Sequence, residues 1–328
     1  MKATILVGDV RKRLSEIVDG SVQTCITSPP YWGLRDYGHD DQIGLEQTPE
    51  AYVAELVDVF REVRRVLADD GTLWLNLGDS YAAARGGTYQ PAETLAGGTS
   101  GRMDDGSIVN RGRTENYSPS RNATAIGLKH KDLVGIPWRV AFALQADGWW
   151  LRQDIIWAKP NPMPESVTDR CTKAHEYLFL LTKSARYYYD AAAVSEGAIS
   201  SGESRGGGKK YSSEAGGVAI IGDKHNLDKY GTTPDTRNRR SVWTIATKPF
   251  SGAHFAVMPE ALVEPCILAG SRIGDSVLDP FIGSGTVGVV ALKHGRDFIG
   301  VELNPEYAAL AEGRIHDDGP LFNEVAVA

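Results

Sequence analysis

Short apolar segments alternate with segments of helical period along the whole chain, and this alternation constrains the fold more than any other feature. Residues 22–27 form an apolar run that stops at a Pro-Pro pair, and apolar residues recur at helical spacing from Pro49 onward. Strands that alternate with helices predict a mainly parallel sheet with helices on both faces. We therefore predict an α/β fold with a doubly wound, mostly parallel sheet. The predicted strands are 4–7, 22–27, 72–77, 151–158, 176–182, 276–278 and 297–301, and the predicted helices begin at 49, 135, 259, 286 and 305.

Composition limits the class of protein. With 328 residues and 42% hydrophobic content, the chain can bury one large core, or a core and a smaller lobe. It lacks an apolar run long enough to span a membrane and a signal-peptide pattern, so we expect a soluble, cytoplasmic protein with no membrane partner. Cys25, Cys171 and Cys266 are widely spaced. This spacing predicts neither a disulfide framework nor a zinc site, and we expect no metal.

Charge is unevenly distributed. The net charge of -7 argues against a protein that coats nucleic acid indiscriminately. Two stretches rich in Gly and Ser, 85–131 and 201–240, nevertheless carry more basic than acidic residues and have no core periodicity. They are either solvated insertions or surfaces that become ordered when they bind nucleic acid. The motifs in the flanking segments favour the nucleic-acid-binding alternative.

A glycine-rich loop follows the predicted strand that ends near Asp279. It reads Phe281-x-Gly283-x-Gly285, and Glu302 ends the next strand. Ligands of such sheets bind beyond the carboxyl ends of the strands. The glycines allow close approach of a nucleotide-like cofactor, Asp279 can accept hydrogen bonds from a cationic or amino group, and Glu302 can bind ribose hydroxyls.

Two other interpretations of this loop remain open. The absence of Gly-Lys-[Ser/Thr] disfavours a phosphate-binding P-loop, but residues 283–288 have the G-x-G-x-x-G spacing of nicotinamide and flavin sites. A structural turn that binds nothing is the remaining alternative.

The Ser28-Pro29-Pro30-Tyr31 loop indicates the chemistry. The lone pair of an exocyclic amino group on a nucleobase is conjugated into the ring, so the nitrogen is a poor nucleophile. The Ser28 hydroxyl and the Pro29 carbonyl can accept its two N–H bonds, and the prolines stiffen the loop that presents them. Tyr31 can stack on an extruded base, and Trp32 can extend that surface.

In this order, the two motifs resemble those of S-adenosylmethionine-dependent DNA amino-methyltransferases of the permuted, β-type arrangement. In that family the [D/N/S]-P-P-[Y/F] loop precedes the target-recognition region and the cofactor loop comes last. The resemblance covers most of the chain outside the insertions. It implies a seven-stranded sheet with one antiparallel strand, S-adenosylmethionine as cofactor, and double-stranded DNA with base flipping as partner. A second copy of the chain and a cognate restriction nuclease are further candidate partners.

The resemblance also assigns site residues and a domain order. The implied catalytic residues are Ser28, Pro29, Pro30 and Tyr31, and the implied cofactor-binding residues are Asp9, Asp279, Phe281, Gly283, Gly285, Thr286, Glu302 and Asn304. The implied order is a catalytic half of the core (1–79), an insertion that could face DNA (80–132), the core continued (133–190), a target-recognition region (191–242) and a cofactor-binding half (243–328).

The target base and several rival functions are left open. Family members with Ser before the Pro-Pro pair are mostly cytosine-N4 enzymes, so we predict cytosine N4, with adenine N6 as the alternative. Pro265-Cys266 superficially resembles the nucleophile of cytosine-C5 methyltransferases but lies in a predicted helix, and Asp79 is predicted to cap a strand end rather than act in catalysis. An inactive DNA-binding homologue and an RNA methyltransferase are the remaining alternatives.

Overall fold

A computed structural model describes nine stretches of the chain: residues 1–34, 38–39, 41–82, 101–102, 108–109, 126–197, 236–247, 257–319 and 323–328. Most of both predicted insertions, 80–132 and 191–242, lies outside the described residues. The chain divides into two compact units, one formed by Met1–Asp190 with Ser241–Ala328 and the other by Ala191–Arg240. The role of 191–242 in target recognition stays a prediction.

The order of strands and helices follows the alternation predicted from the sequence. The strands are β1 (Lys2–Val7), β2 (Val22–Thr27), β3 (Leu67–Leu77), β4 (Gly101–Arg102), β5 (Ile108–Val109), β6 (Trp150–Ala158), β7 (His175–Thr182), β8 (Glu196–Gly197), β9 (Thr236–Arg237), β10 (Val242–Thr244), β11 (Ser276–Asp279), β12 (Asp297–Glu302) and β13 (Glu324–Val327). The helices are α1 (Val10–Arg13), α2 (Pro49–Val66), α3 (Ile136–Ala146), α4 (Glu260–Gly270), α5 (Thr286–Lys293) and α6 (Pro305–Asp318), and a 3₁₀ turn covers Leu14–Glu16.

Within the described residues the main sheet has nine strands in the order β10-β6-β7-β3-β2-β11-β12-β1-β13. Strand β7 is antiparallel to both of its neighbours, and the remaining pairings are parallel. The α/β, mostly parallel fold with one antiparallel strand is therefore confirmed. The strand pairs β4–β5 and β8–β9 form separate two-stranded ribbons.

The expected number of seven strands is too low, because β10 and β13 each add a strand at an edge. Strand β10 has three residues, of which only Trp243 is buried, and β13 has four residues that are at least partly exposed. Such short edge segments have no apolar alternation, so their pairing with β6 and β1 depends on main-chain hydrogen bonds that the residue pattern does not encode.

Helices α1, α2 and α6 begin at residues whose side chains cap them, and the helices bury one face against the sheet. Helix α2 starts at Pro49 because the Thr48 hydroxyl accepts the Ala51 N–H (3.2 Å), and its buried stripe includes Tyr52, Leu56 and Phe60. Helices α1, α2 and α3 form one layer, and α4, α5 and α6 form the other. No helix of the described portion is long and apolar enough to cross a membrane.

Candidate functional site

The two sequence motifs meet at the centre of the sheet. Strands β2 and β11 are parallel neighbours, and the chain proceeds from β2 to β3 on one side and from β11 to β12 on the other. This reversal of strand order leaves a crevice at the carboxyl ends of the strands, where ligands of such folds bind. The Thr27 hydroxyl at the end of β2 donates to Asp279 Oδ1 at the end of β11 (2.7 Å). One hydrogen bond thus joins the bases of the two loops.

A cavity of about 1020 Å³ opens at this point and is lined from both loops. Eleven of the twelve predicted site residues line it: Asp9, Ser28, Pro29, Pro30, Tyr31, Asp279, Phe281, Gly283, Thr286, Glu302 and Asn304. Gly285 is not among the lining residues. The individual roles of these residues stay predictions, but the geometry on which the predictions depend is present.

Gly285 lets the glycine loop pack closely against α6. It has a left-handed φ of 82° immediately before α5, and a Cβ atom there would lie 3.0 Å from the Cβ of Ala311 in α6. Arg314, also on α6, donates to the Ser284 carbonyl (2.6 Å) and to the Thr286 hydroxyl (3.3 Å). Sequence reasoning missed Arg314 because α6 reads as an ordinary surface helix. The α5–α6 contact therefore holds the loop in position.

Asp279 is a buried carboxylate that faces the cavity. Its side chain is 2% exposed, and its Oδ1 accepts both the Thr27 hydroxyl and the Phe281 N–H (3.0 Å). Its Oδ2 has no hydrogen-bond partner among the described residues. Burial, reinforced by the nearby Glu302, raises the pKa of Asp279 to about 7, although the two hydrogen bonds act in the opposite direction. A cationic ligand group would relieve this unfavourable burial.

Glu302 and Asn304 form the neighbouring wall. Glu302 accepts the Gly283 N–H through Oε2 (2.9 Å) and the Asn304 N–H through Oε1 (3.0 Å), which leaves further lone pairs for ligand hydroxyls. Burial raises the pKa of Glu302 as well. The Asn304 side chain caps α6 by accepting the Glu306 N–H (2.8 Å).

Asp9 also has a structural task. Its carboxylate caps α1 through the Arg11 N–H (3.0 Å) and accepts the Arg11 Nε–H (2.9 Å). The Arg11 guanidinium extends further to the carbonyl of Asp41. Asp9 is thereby held in a fixed orientation at the cavity wall.

The Ser-Pro-Pro-Tyr loop is fastened by its backbone and by Tyr31. The Pro30 carbonyl accepts the Tyr52 hydroxyl (2.8 Å), whereas no described residue donates to the Pro29 carbonyl. The Tyr31 ring packs directly on Gly78, where a Cβ atom would lie 2.9 Å from Tyr31 Cδ2 and closer still to Cε2.

Trp32 does not extend the base-stacking surface, so that prediction is wrong. The side chain is 2% exposed and belongs to the core, with its Nε1–H donating to the Glu46 carbonyl (2.8 Å). The side chains of Tyr31 and Trp32 point in different directions, and the Trp32 ring turns into the core.

Three polar residues that sequence reasoning did not assign to the site lie beneath Tyr31. The Tyr31 hydroxyl donates toward Glu176 Oε2 (2.8 Å) and Asn76 Oδ1 (3.1 Å), and Lys159 forms an ion pair with Glu176. Asn76 is at the end of β3 and Glu176 at the start of the antiparallel β7, so their side chains meet only because these strands pair. The polar Asn76 within an otherwise apolar run was the available signal.

Asp79 and Cys266, the two residues considered for rival chemistry, lie elsewhere. Asp79 Oδ1 accepts the N–H groups of Ser80, Gly135 and Ile136 at 2.9–3.0 Å, so it caps the entry to α3. Cys266 is buried inside α4 and does not line the cavity. Among the described residues, no group of three or more His, Cys, Asp or Glu side chains could hold a metal ion.

Comparison with known proteins identifies the family. The family model described as DNA methylase matches residues 22–313. The type II methyltransferase M.Cfr9I of Citrobacter freundii is 46% identical over 326 residues, which cover 99% of this chain and 92% of that protein. The type II methyltransferase M.SmaI of Serratia marcescens is 48% identical over 312 residues, covering 95% and 90%. The chain belongs to the N6/N4 DNA methylase family.

Solved structures agree with the fold of this methylase. TTHA0409 of Thermus thermophilus, solved in complex with S-adenosyl-L-methionine, superposes with a TM-score of 0.56 at 22% identity and covers 99% of both chains. The cytosine-N4-specific PvuII DNA methyltransferase superposes with a TM-score of 0.60 at 17% identity, covering 99% of this chain and 95% of that one. At these identities the likeness concerns the fold.

Family membership makes this methylase an S-adenosylmethionine-dependent DNA methyltransferase. It decides against the nicotinamide, flavin and structural-turn interpretations of the glycine loop. The cavity has a chemistry that fits the cofactor: within the described stretches Asp279 Oδ2 has no hydrogen-bond partner and could face a cation, and Glu302 keeps lone pairs that could accept from hydroxyls.

Proposed function

We propose that this methylase transfers a methyl group to N4 of a cytosine that is extruded from duplex DNA into the cavity. The observation that carries the proposal is that Ser28 and Pro29, whose hydroxyl and carbonyl groups are acceptors, both line the cavity, on a loop joined to the cofactor side by the hydrogen bond between Thr27 and Asp279. Ser28 rather than Asp at the first position of the loop favours cytosine, because such family members are mostly cytosine-N4 enzymes.

The residues of the chain act by alignment. The Ser28 hydroxyl and the Pro29 carbonyl accept hydrogen bonds from the two N–H groups of the amino group. This localises the nitrogen lone pair and directs it toward the cofactor side of the cavity. When bound, S-adenosylmethionine supplies a methyl group on positively charged sulfur, so that an N–C bond forms, an S–C bond breaks, a neutral thioether leaves and the amino nitrogen releases one proton to solvent. Asp279 and Glu302 hold the cofactor, and the stiff proline pair keeps the acceptors in register with it.

The target base is tested by nucleoside mass spectrometry. We expect DNA from a methylation-free host that expresses this protein to contain N4-methylcytosine, with long-read mapping placing the modification at one sequence. DNA from a host expressing Ser28→Ala is the control and should contain little of it. Detection of N6-methyladenine instead would reassign the target base, and methylation confined to RNA would refute the proposal.

Base extrusion follows from the depth of the site. The acceptors lie at the strand ends inside a cavity lined from two loops, and a stacked base cannot bring its amino group there. With 2-aminopurine in place of the target cytosine of the mapped sequence, we expect protein binding to increase the fluorescence several-fold. The same duplex with 2-aminopurine two positions away is the control. Tight binding without a fluorescence increase at the target position would contradict extrusion.

A further inference from the structure

We propose that Glu176 is a positioning residue for methyl transfer: through the Tyr31 hydroxyl it fixes the direction of hydrogen bonding so that Ser28 presents lone pairs, not a proton, to the target amino group. This inference rests on the proposed role of Ser28 as an acceptor. It does not depend on whether the amino group belongs to cytosine or adenine.

The first step is the direction of the bonds made by Tyr31. Asn76 Nδ2 donates to the Tyr177 carbonyl (3.1 Å) and to Glu176 Oε2 (3.2 Å), so its Oδ1 must be the atom that faces the Tyr31 hydroxyl. Glu176 Oε2 lies 2.8 Å from the same hydroxyl. Both neighbours are acceptors, so the single Tyr31 proton is committed to them.

The second step concerns Ser28. Its hydroxyl lies 3.4 Å from the Tyr31 hydroxyl, a long separation of the kind common at catalytic sites before substrate binds. Because the Tyr31 proton points to Glu176 and Asn76, only a Tyr31 lone pair faces Ser28. Ser28 must therefore donate to Tyr31, and its own lone pairs are left for a third partner. The target amino group, which donates two hydrogen bonds, is therefore offered the lone pairs of Ser28.

The third step is what holds Glu176. Its side chain is 17% exposed, and its Oε1 accepts the Lys159 ammonium group, which also lies 4.2 Å from the Trp157 ring centroid. Both carboxylate oxygens thus serve only as acceptors. An amide cannot satisfy this site, since whichever way it turns, its NH₂ group faces either the Lys159 ammonium or the donors Tyr31 and Asn76.

Single-turnover methyl transfer at saturating DNA and cofactor tests the role of Glu176. We expect Glu176→Gln to lower the rate constant about 10- to 30-fold, as expected when a buried hydrogen bond loses its partner, while the cofactor Kd measured by calorimetry stays within about twofold. Glu260→Gln removes an ion-paired carboxylate on α4 that does not line the cavity, and it should leave both values unchanged. A wild-type rate for Glu176→Gln would overturn the proposal.

A double-mutant cycle separates positioning through Tyr31 from general structural support. Tyr31→Phe keeps the ring on Gly78 and removes the hydroxyl, and it should slow methyl transfer about as much as Glu176→Gln does. It also tests the proposal independently if Glu176→Gln folds poorly. Because both changes break one chain of hydrogen bonds, the double variant should be no more than about twofold slower than the slower single variant. Multiplicative losses, or a wild-type rate for Tyr31→Phe, would overturn the proposal.

A readout without turnover completes the test. In protein labelled with ¹³Cζ-tyrosine, the Tyr31 signal is assigned by its loss in Tyr31→Phe. We expect that signal to shift in Glu176→Gln and to stay in place in Glu260→Gln, and an unshifted signal would refute the link between Glu176 and Tyr31. Mass spectrometry of the product identifies the methylated base independently, so an error in the target base is distinguishable from an error about Glu176.

Discussion

Replacing Gly78 by alanine is expected to lower the single-turnover rate of methyl transfer at least about 100-fold, with little change in cofactor affinity. The added Cβ would overlap the Tyr31 ring, with Cδ2 at 2.9 Å and Cε2 closer. The ring must then move away from β3, and the Ser28–Tyr31 loop moves with it. A displacement of about 1 Å at reacting groups is sufficient for a loss of this size. Single-turnover kinetics and calorimetry of cofactor binding measure the two quantities.

A second glycine provides the matched control for this change. Gly313 lies in α6, and a Cβ atom there would meet nothing within 4 Å. Gly313→Ala should keep the wild-type rate and raise the free energy of unfolding by about 0.5–1 kcal/mol, because alanine favours the helix. If Gly78→Ala transferred methyl groups as fast as Gly313→Ala, the contact between Gly78 and Tyr31 would have no importance for catalysis.

Replacing Asp279 by asparagine is expected to weaken S-adenosylmethionine binding by at least about 100-fold at pH 7.5. The asparagine oxygen can still accept the Thr27 hydroxyl and the Phe281 N–H, so the loop should keep its shape while the site loses one negative charge. Loss of one partner from a buried ion pair typically costs about 3–5 kcal/mol. Calorimetry at several pH values measures the effect.

The pH dependence of cofactor binding should distinguish the wild type from Asp279→Asn. The pKa of Asp279 is about 7 in the free protein, because burial and the nearby Glu302 disfavour its charge. Below that pH the carboxyl group is increasingly protonated and attracts a cation less, so the wild-type Kd should rise as pH falls from 7.5 to 6. The Kd of Asp279→Asn should change less over this range. Equal affinities at pH 7.5, or identical pH profiles, would contradict a contact between Asp279 and the cofactor.

The Asp279 carboxylate should also lower the free energy of unfolding of the cofactor-free protein. Its pKa is raised from an ordinary value of 3.8, so the folded state binds the proton more tightly than the unfolded state does. The free energy of unfolding therefore falls as pH rises from about 4 to about 7, and above 7 the full penalty remains. Asp279→Asn should be more stable than the wild type at pH 8, by roughly 2–4 kcal/mol. Chemical denaturation without cofactor measures the difference.

The elements predicted from sequence and those missed differ in how local their signals are. Helix α2 carries its own cap at Thr48 and its own apolar stripe, and β2 is a complete buried run. Their positions follow from neighbouring residues alone. The edge strands β10 and β13 carry no such pattern and exist because β6 and β1 offer unpaired main-chain groups. Helix α1, with four residues, is too short for a period to be recognised.

The candidate site shows the same division. The sequence alone was enough to predict the mostly parallel α/β fold, the two loops and the cavity-lining residues from Ser28 to Tyr31 and from Asp279 to Glu302, because strand ends, prolines and glycines are local signals. Only the tertiary structure revealed that Glu176, Asn76 and Lys159 meet under Tyr31, that Gly78 makes room for its ring, and that Trp32 points into the core. The reason is physical. The contacts of Tyr31 with Asn76, Glu176 and Gly78 join segments that are far apart in the chain, and they form only because β3, β7 and β6 pair with one another. The residue pattern of one segment does not encode such pairing, nor does it encode which way the Trp32 side chain turns after β2.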